Sequence, residues 1–418
     1  MMNENAAGSS PTPRALSLPD AVALAARLLD ENRLAEAEQI LAAVLNADAN
    51  SPDGLHFMGI LRCRQNRADE GIALIRQAIA VAPTYAEAHH NLGNIYRALG
   101  RPAEALESFR RAIELAPDIA ESHLNVADLL RRSGKRAEAV AFYRRALELD
   151  PGLSEAHFQL GKIYHRLSRP LDAAATFRNW QSLDPANPVA RHMVEATAGT
   201  KTMDRASDGY IRCEFDDFAD TFDDVMATLN YNGPQQIAAA LAMLTEPQKD
   251  LRVLDAGCGT GLTGQAVAPW ARHLAGVDLS PAMIERARQR GGYDELVISE
   301  LTAFLQTTSS TFDLAISADT FIYFGVLSEV FRGVARCLKP AGHFIFTVEH
   351  LKDGGNDRFL LNPAGRYSHR ESYVRTCLEE AGLTFLRVTE ETVRLELTEP
   401  VAGLTVTAAK LPTAPRSS

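Results

Sequence analysis

The stretch 253-VLDAGCGTGLTG-264 decides the fold of the second half of the chain. An apolar run ends at Asp255, and Gly257, Gly259, Gly261 and Gly264 follow closely. Glycines at this density let a strand turn sharply into a helix and leave backbone amides free to face a ligand. Working outward, "LRVLDAG" reads as a strand, "LTGQAVAPWA" as a helix, "HLAGVDLS" as a second strand and "SPAMIERARQRG" as a second helix. That second helix is bounded by Ser280 as N-cap, Pro281 at the first helical position and Gly291 past its end. "DELVIS", "FDLAISAD", "GHFIFTVEH", "LTFLRVTEE" and "LTVTAAK" supply further strands. Strands alternating with helices predict a parallel sheet covered on both faces, with ligands at its carboxyl ends.

The chain has 418 residues, 46% of them hydrophobic, and room for more than one core. Its net charge is −10, of which residues 201–418 carry −8 and residues 1–200 carry −2. An acidic glycine-loop half argues against nucleic acid as a partner. No apolar run approaches the roughly 18 residues of a membrane span, so no membrane partner is expected. Cys63, Cys213, Cys258, Cys337 and Cys377 are scattered without a CxxC pair, which predicts reduced thiols in the cytoplasm. Residues 1–17 and 411–418 read as disordered tails and 199–209 as a polar linker.

Upstream, prolines recur at 83, 117, 151 and 185, each 34 residues after the last. Leu92-Gly93, Tyr96, Ala105, Phe109 and Ala112 precede Pro117; Leu160-Gly161, Tyr164, Ala173 and Phe177 precede Pro185. This spacing predicts two amphipathic helices per unit, with small residues at helix crossings and proline closing the second helix. The pattern resembles the tetratricopeptide repeat: about five copies, with "PVARHMVEATAG" as a polar capping helix, over 18–198. The resemblance implies an all-α solenoid whose first helices line a groove for a protein or peptide partner. Groove candidates are His56, His90, Asn94, Arg97, Asp128, Arg131, Phe158, Lys162 and His165.

The glycine loop admits two cofactor readings. Gly259, Gly261 and Gly264 fit GxGxxG, the dinucleotide fingerprint. Asp255 with Gly257, Gly259 and Gly261 fits D-x-G-x-G-x-G instead. In a dinucleotide site a diphosphate lies over the loop, and like charges a few ångströms apart cost on the order of 1 kcal/mol in water and several near a protein surface. S-adenosylmethionine brings an α-ammonium and a sulfonium, which an acidic loop attracts. The carboxylate therefore favours the methyl donor over NAD. Asp278 ends the second strand, where a carboxylate can accept both ribose hydroxyls; Leu279 and Met283 would flank the adenine. Glu300 would accept from its amino group and Leu301 would meet the ring.

Residues 210–410 resemble a class I S-adenosylmethionine-dependent methyltransferase through "VLDAGCGTG", Asp278 in "GVDLS" and "CLKPAGHFIF". The resemblance implies an α + α/β multidomain chain. Its Rossmann-like, mostly parallel seven-stranded sheet would close with a C-terminal antiparallel hairpin. Pro340-Ala341-Gly342 stands where the family often has PGG, with Gly342 left for the turn. The segment "FDDFADTFDDVMATLNY", joined to repeats, resembles bacterial methyltransferases with fused tetratricopeptide arrays. It implies a helical lid over 210–245, with Phe215, Phe218, Phe222 and Tyr231 toward the cofactor. Cofactor contacts are thus expected from Asp255, Gly257, Cys258, Gly259, Gly261, Asp278, Leu279, Met283, Glu300, Leu301, Phe218 and Tyr231.

Methyl transfer needs an aligned nucleophile and, for some acceptors, a base. Base candidates are Asp319, Tyr323, Glu349, His350, Tyr367 and His369; in "GRYSHRESYV" Arg366, Tyr367 and His369 cluster before a helix at the expected pocket mouth. "SADTFIYF" replaces any NPPY-like motif, so adenine or glutamine amino groups are not expected acceptors. A small molecule or a protein side chain remains. No metal ligand set is spaced in these segments. Two other functions stay open: an interaction scaffold with a cofactor-binding but non-catalytic fold, and an NAD-linked oxidoreductase. The oligomeric state is not legible in the sequence.

Overall fold

Each of the four spaced prolines falls two residues past a helix end in the computed structural model, after Val81, Leu115, Leu149 and Leu183. The structure describes residues 16–198, 203–352, 357–396 and 399–412. The N-terminal tail up to residue 15 and the C-terminal tail from 413 lie outside these. Contacts divide the chain into two units, Met1–Ile163 and Tyr164–Ser418.

Ten helices form the array's five pairs, α1 (Leu18–Asp30) through α10 (Pro170–Leu183). Close crossings occur where side chains are small: a Cβ on Gly59 would press on the Gly71 carbonyl at 2.8 Å and one on Gly93 would meet the Phe109 ring at 2.8 Å. In α3 (Pro52–Arg64), His56 is fully buried; it bonds Tyr85 Oη at 3.0 Å and Asn91 Nδ2 at 3.0 Å. Burial pushes its imidazole down to about 4. It is an interior residue, which corrects its placement in the groove. His90 and Asn94 of α5 (Ala86–Ala98) bond each other, and they reach Ser122 and Asn125 of α7 (Ala120–Arg132) at 2.8 and 3.2 Å. Asp128 accepts from Tyr143 and Arg131. These groove candidates are joined to one another along successive first helices.

The helix expected to cap the array, α11 (Pro188–Ala198), buries Ala190, His192, Met193 and Ala196 and belongs to the second unit. It is a packed helix, not a polar cap. His192 donates to or accepts nothing from solvent: its Nε2 lies 2.8 Å from the Gly365 carbonyl and its ring stacks on Tyr210 at 3.9 Å. The expected linker over 199–209 is only partly described, and its described part is docked. Ala206 N–H donates to the Tyr323 carbonyl, the Asp204 carbonyl accepts from Gly325 and Val326 N–H, and Ser207 caps the next helix.

That helix, α12 (Asp208–Phe218), is followed by α13 (Phe222–Thr228) and α14 (Gly233–Ala242). Then come β1 (Leu251–Ala256), α15 (Leu262–Val267), β2 (Ala271–Asp278), α16 (Pro281–Arg290), β3 (Glu295–Ile298), α17 (Leu301–Thr307) and β4 (Phe312–Ser317). The chain continues through α18 (Ser328–Cys337), β5 (Leu338–His350), β6 (Phe359–Leu361), β7 (Tyr367–His369), α19 (Glu371–Glu380), β8 (Leu383–Glu396) and β9 (Glu399–Lys410). The sheet runs β3-β2-β1-β4-β5, all parallel, and β9 then pairs antiparallel with β5 and β8. Seven strands follow the expected plan. Two more, the short hairpin β6–β7, extend the sheet where β7 pairs Glu349 and His350 at the end of β5.

Side chains alternate across β1. Leu254 and Ala256 join a core with Phe312, Phe331, Phe344 and Phe346; Val253 joins the opposite one with Ile237, Trp270 and Ile316. At Pro340-Ala341-Gly342 the left-handed residue is Ala341, at φ 62, rather than Gly342. Gly342 is needed for space, because a Cβ there would sit 2.9 Å from the Lys339 carbonyl. Among the described residues no helix is long and apolar enough to cross a membrane. The five cysteines are unpaired.

Candidate active site at the carboxyl ends of the strands

The glycine loop is held from three sides. Gly257 and Cys258 N–H donate to the Val277 carbonyl at 2.8 and 3.0 Å, while Ser317 Oγ and Thr320 Oγ1 donate to the Ala256 carbonyl at 2.7 and 3.1 Å. Gly257, Gly259 and Gly261 have φ of 81, 52 and 90, a region that L side chains avoid. A Cβ on Gly257 would overlap Thr320 Oγ1, whereas one on Gly259 would meet nothing within 4 Å. Gly259 therefore faces open space.

Asp255 does not guard that space. It is fully buried beneath the loop, on the Val253 face of β1, and its Oδ2 accepts from Tyr293 Oη at 2.7 Å. Its Oδ1 has no partner. Burial pushes the carboxyl up to about 7, against the Tyr293 hydrogen bond. The Tyr293 ring lies against two glycines: a Cβ on Gly264 would overlap its hydroxyl end, and one on Gly276 would sit 2.8 Å from its Cε1. Cys258 points the same way, its Sγ 3.0 Å from that position on Gly276, and is 5% exposed.

Asp278 is half-buried beside the loop, accepting from Gly259 N–H and Ser280 N–H at 2.9 Å each. Burial raises its pKa. Leu279 next to it is half-buried, but Met283 is 1% and Leu301 7% exposed, so both lie under the surface. Glu300 caps α17, its Oε2 accepting from Ala303 N–H at 2.8 Å, while Oε1 is left without a hydrogen bond.

Three acids that the sequence reading passed over dock the lid. Asp216, Asp220 and Asp223 bond Ser280, Arg286 and Arg290 respectively, and Asp223 also accepts from Thr260 Oγ1 of the glycine loop at 2.6 Å. Phe218 and Phe222 meet edge to face at 5.4 Å, and Phe215 meets Tyr323 likewise at 5.5 Å. The half-buried Tyr231 stands apart from them, in the field of Asp319 and Arg394.

The ends of β4, β5 and β8 carry a buried ion network. Arg394, 5% exposed, donates to Asp319 Oδ2 at 2.6 Å, to Glu349 and to Glu396 at 3.2 Å. Arg366 donates to Glu349 at 2.7 Å and to Glu396, and Asn362 donates to Glu349 at 3.0 Å. Asp319 adopts φ 54, an uncommon conformation for its residue type, fixed by its amide bond to Thr347 Oγ1 at 2.8 Å. Burial raises the Asp319 carboxyl against the pull of Arg394, while the two arginines overcome burial to lower Glu349.

Two base candidates lie elsewhere. His369 is fully buried in β7 with Nε2 2.7 Å from the Phe324 carbonyl, and burial pushes its pKa down to about 4. Tyr367, fully buried too, donates to the Met203 carbonyl at 2.8 Å. Neither stands at a pocket mouth; both hold the 203–207 segment and the 321–325 turn. His350 lies beside Glu390 at 3.4 Å. Asp319 and Tyr323 remain at the strand ends. Among the described residues no group of three His, Cys, Asp or Glu is arranged to hold a metal ion.

A family model for a methyltransferase domain matches residues 254–346, the segment from β1 to β5 that builds this site. Tetratricopeptide repeat models match 49–118, 85–152 and 124–188. The chain carries tetratricopeptide repeats followed by a methyltransferase domain. Methyltransferase YodH of Bacillus subtilis, named as uncharacterized, is 30% identical to it over 152 residues, 35% of this chain and 62% of that protein. A ubiquinone biosynthesis O-methyltransferase of Xylella fastidiosa is 28% identical over 161 residues, 36% of this chain and 64% of that one. A solved S-adenosylmethionine dependent methyltransferase of Mesorhizobium loti is 24% identical at a TM-score of 0.34, covering 42% of this chain and 100% of its own. The chain spans less than two thirds of the length of these two curated relatives. The repeat matches end at 188, although the contact boundary falls at 163, because the last repeat helices pack with the methyltransferase domain's unit.

Proposed function

We propose that the chain is a cytoplasmic S-adenosylmethionine-dependent methyltransferase acting on a small molecule or a protein side chain, with the array over 18–198 recruiting a protein or peptide. The observation that carries the reading is the pairing of Asp278 with the open glycine loop. A half-buried carboxylate shares a backbone amide with Gly259, whose Cα faces unfilled space. A ribose can take the remaining lone pairs of Asp278. Glu300 Oε1 is an acceptor without a partner, suited to an exocyclic amino group. Asp255 Oδ1 is another, beneath the loop. Leu279 would pack on the base, with Leu301 and Met283 as its floor.

The bound donor supplies a methyl group activated by its sulfonium. The residues of the chain do the rest. The loop glycines permit close backbone approach, the docked lid with Phe218 and Tyr231 excludes water, and Asp319 is the carboxylate placed to hold a proton from the acceptor. Titration calorimetry of the full chain with S-adenosylmethionine tests the reading. A Kd in the micromolar range is expected, weakened at least about ten-fold in Asp278→Ala. Undiminished binding in that variant removes the pocket.

A further inference from the structure

Beyond donor binding, the second side of the crevice has its own charge balance. Asp319, Glu349 and Glu396 face two guanidinium groups, Arg366 and Arg394, whose hydrogen bonds go to these same carboxylates. One negative charge is left over. Glu214 adds another. It lies one turn after Tyr210 on α12, is half-buried, and has no hydrogen bond or ion pair among the described residues. It acts on both Tyr210 and Tyr323, and Asp319, Arg366 and Arg394 act on Tyr323 as well, so these groups surround one space. An independent observation points the same way: the unpartnered Asp255 Oδ1, fully buried, and Asp319 both act on Tyr231.

The walls are aromatic. Phe215, Tyr231 and Tyr323 are half-buried, and Tyr210 closes the back, 6.4 Å from Tyr323 and stacked on His192. Buried negative charge in excess of its partners is costly unless a cation joins it. Aromatic faces attract cations for a separate reason, the quadrupole of the ring. An anionic acceptor would find neither a free guanidinium pair nor a neutral wall.

We propose that the acceptor bears a basic nitrogen, bound as its ammonium between Glu214 and Asp319 against the faces of Phe215 and Tyr323. This rests on the methyl-transfer reading, and it deepens that reading by naming the substrate class. The donor does not account for Glu214, because the glycine loop with Asp255 and Asp278 lies at β1 and β2, whereas Glu214 acts at the η-turn holding Tyr323 after β4.

The test uses the full chain saturated with S-adenosylhomocysteine and three probes of matched size: phenethylamine, 3-phenylpropanol and 3-phenylpropanoate. Calorimetric titration is expected to give phenethylamine at least about ten-fold tighter binding than the carboxylate, with the alcohol between. Glu214→Gln is expected to lower that preference by about ten-fold and Glu214→Asp to retain most of it. Equal binding of the three, preference for the carboxylate, an unchanged preference in Glu214→Gln, or no amine binding up to about 10 mM overturns the proposal. Failure to bind S-adenosylhomocysteine overturns the methyl-transfer reading instead; the amine preference is then read without it.

Discussion

Replacing Gly264 with alanine is the sharpest probe of how the glycine loop is supported. The added methyl would overlap the hydroxyl end of Tyr293 and stand 3.0 Å from Leu274 Cδ2. Both neighbours are packed, so the ring must shift. Overpacking of this kind costs about 1–3 kcal/mol. A shifted ring also loses its hydrogen bond to the fully buried Asp255, about 1.5–3 kcal/mol for a bond to a charged acceptor. Partial relaxation makes about 3 kcal/mol the expected total.

The assay is urea unfolding followed by tryptophan fluorescence. The two tryptophans, Trp180 and Trp270, both lie in the second unit, so the signal reports that unit alone. With a slope of about 2–3 kcal/mol per molar urea, the midpoint is expected to fall by roughly 1 M. Tyr293→Leu alone leaves a cavity and an unpaired carboxyl. Combined with Gly264→Ala it makes room for the new methyl, so the double variant is expected to be about 2 kcal/mol more stable than additivity gives. A Gly264→Ala midpoint within about 0.2 M of wild type, or additive effects, refutes the ring-clamp account.

The buried Asp255 carboxyl, at about 7 in the fold, lies above its unfolded value of 3.8. The folded chain therefore holds a proton that the unfolded chain has lost. The Asp255 contribution to stability is whole below about pH 4 and declines until the pH passes about 7. Asp255→Asn is expected to flatten that decline, by up to about 4 kcal/mol at pH 8 relative to pH 4; parallel urea midpoints across this range would exclude it. Arg394→Met leaves three carboxylates facing Arg366 alone and is expected to cost about 3–5 kcal/mol at pH 7. The loss should shrink at pH 5 as carboxylates protonate, and a loss independent of pH would mean that the network is not charged as drawn.

Much of the architecture was legible because it is periodic. Prolines 34 residues apart and small residues at crossings specify stacked helix pairs, and the caps around α16 specify its bounds. The strand order was legible through resemblance. What escaped was long-range pairing. Arg394 sits in a β-rich run whose local pattern says only "strand", yet it meets Asp319 across 75 residues. Asp216, Asp220 and Asp223 read as a solvated acidic face until α16 places serine and arginines opposite them. His369 has an unperturbed pKa suited to a base, but no sequence signal shows that a carbonyl 45 residues away claims its ring.

The loop's two glycine readings are separated by sterics rather than by the charge of Asp255, since that carboxylate lies under the loop and not over it. In a dinucleotide fingerprint the last glycine lets the helix approach the strand closely. Here the ring of Tyr293 occupies that place, touching Gly264 of α15 on one side and Gly276 of β2 on the other. Gly264 is thus accounted for by an aromatic side chain of this chain, 29 residues downstream. Subtracting it leaves Gly257, Gly259 and Gly261, the three with left-handed φ, which shape the turn itself. That residue set is D-x-G-x-G-x-G, the spacing that Asp255 begins. Its carboxylate serves as an anchor for Tyr293, so the first acid and the fourth glycine are the two ends of one clamp beneath the loop.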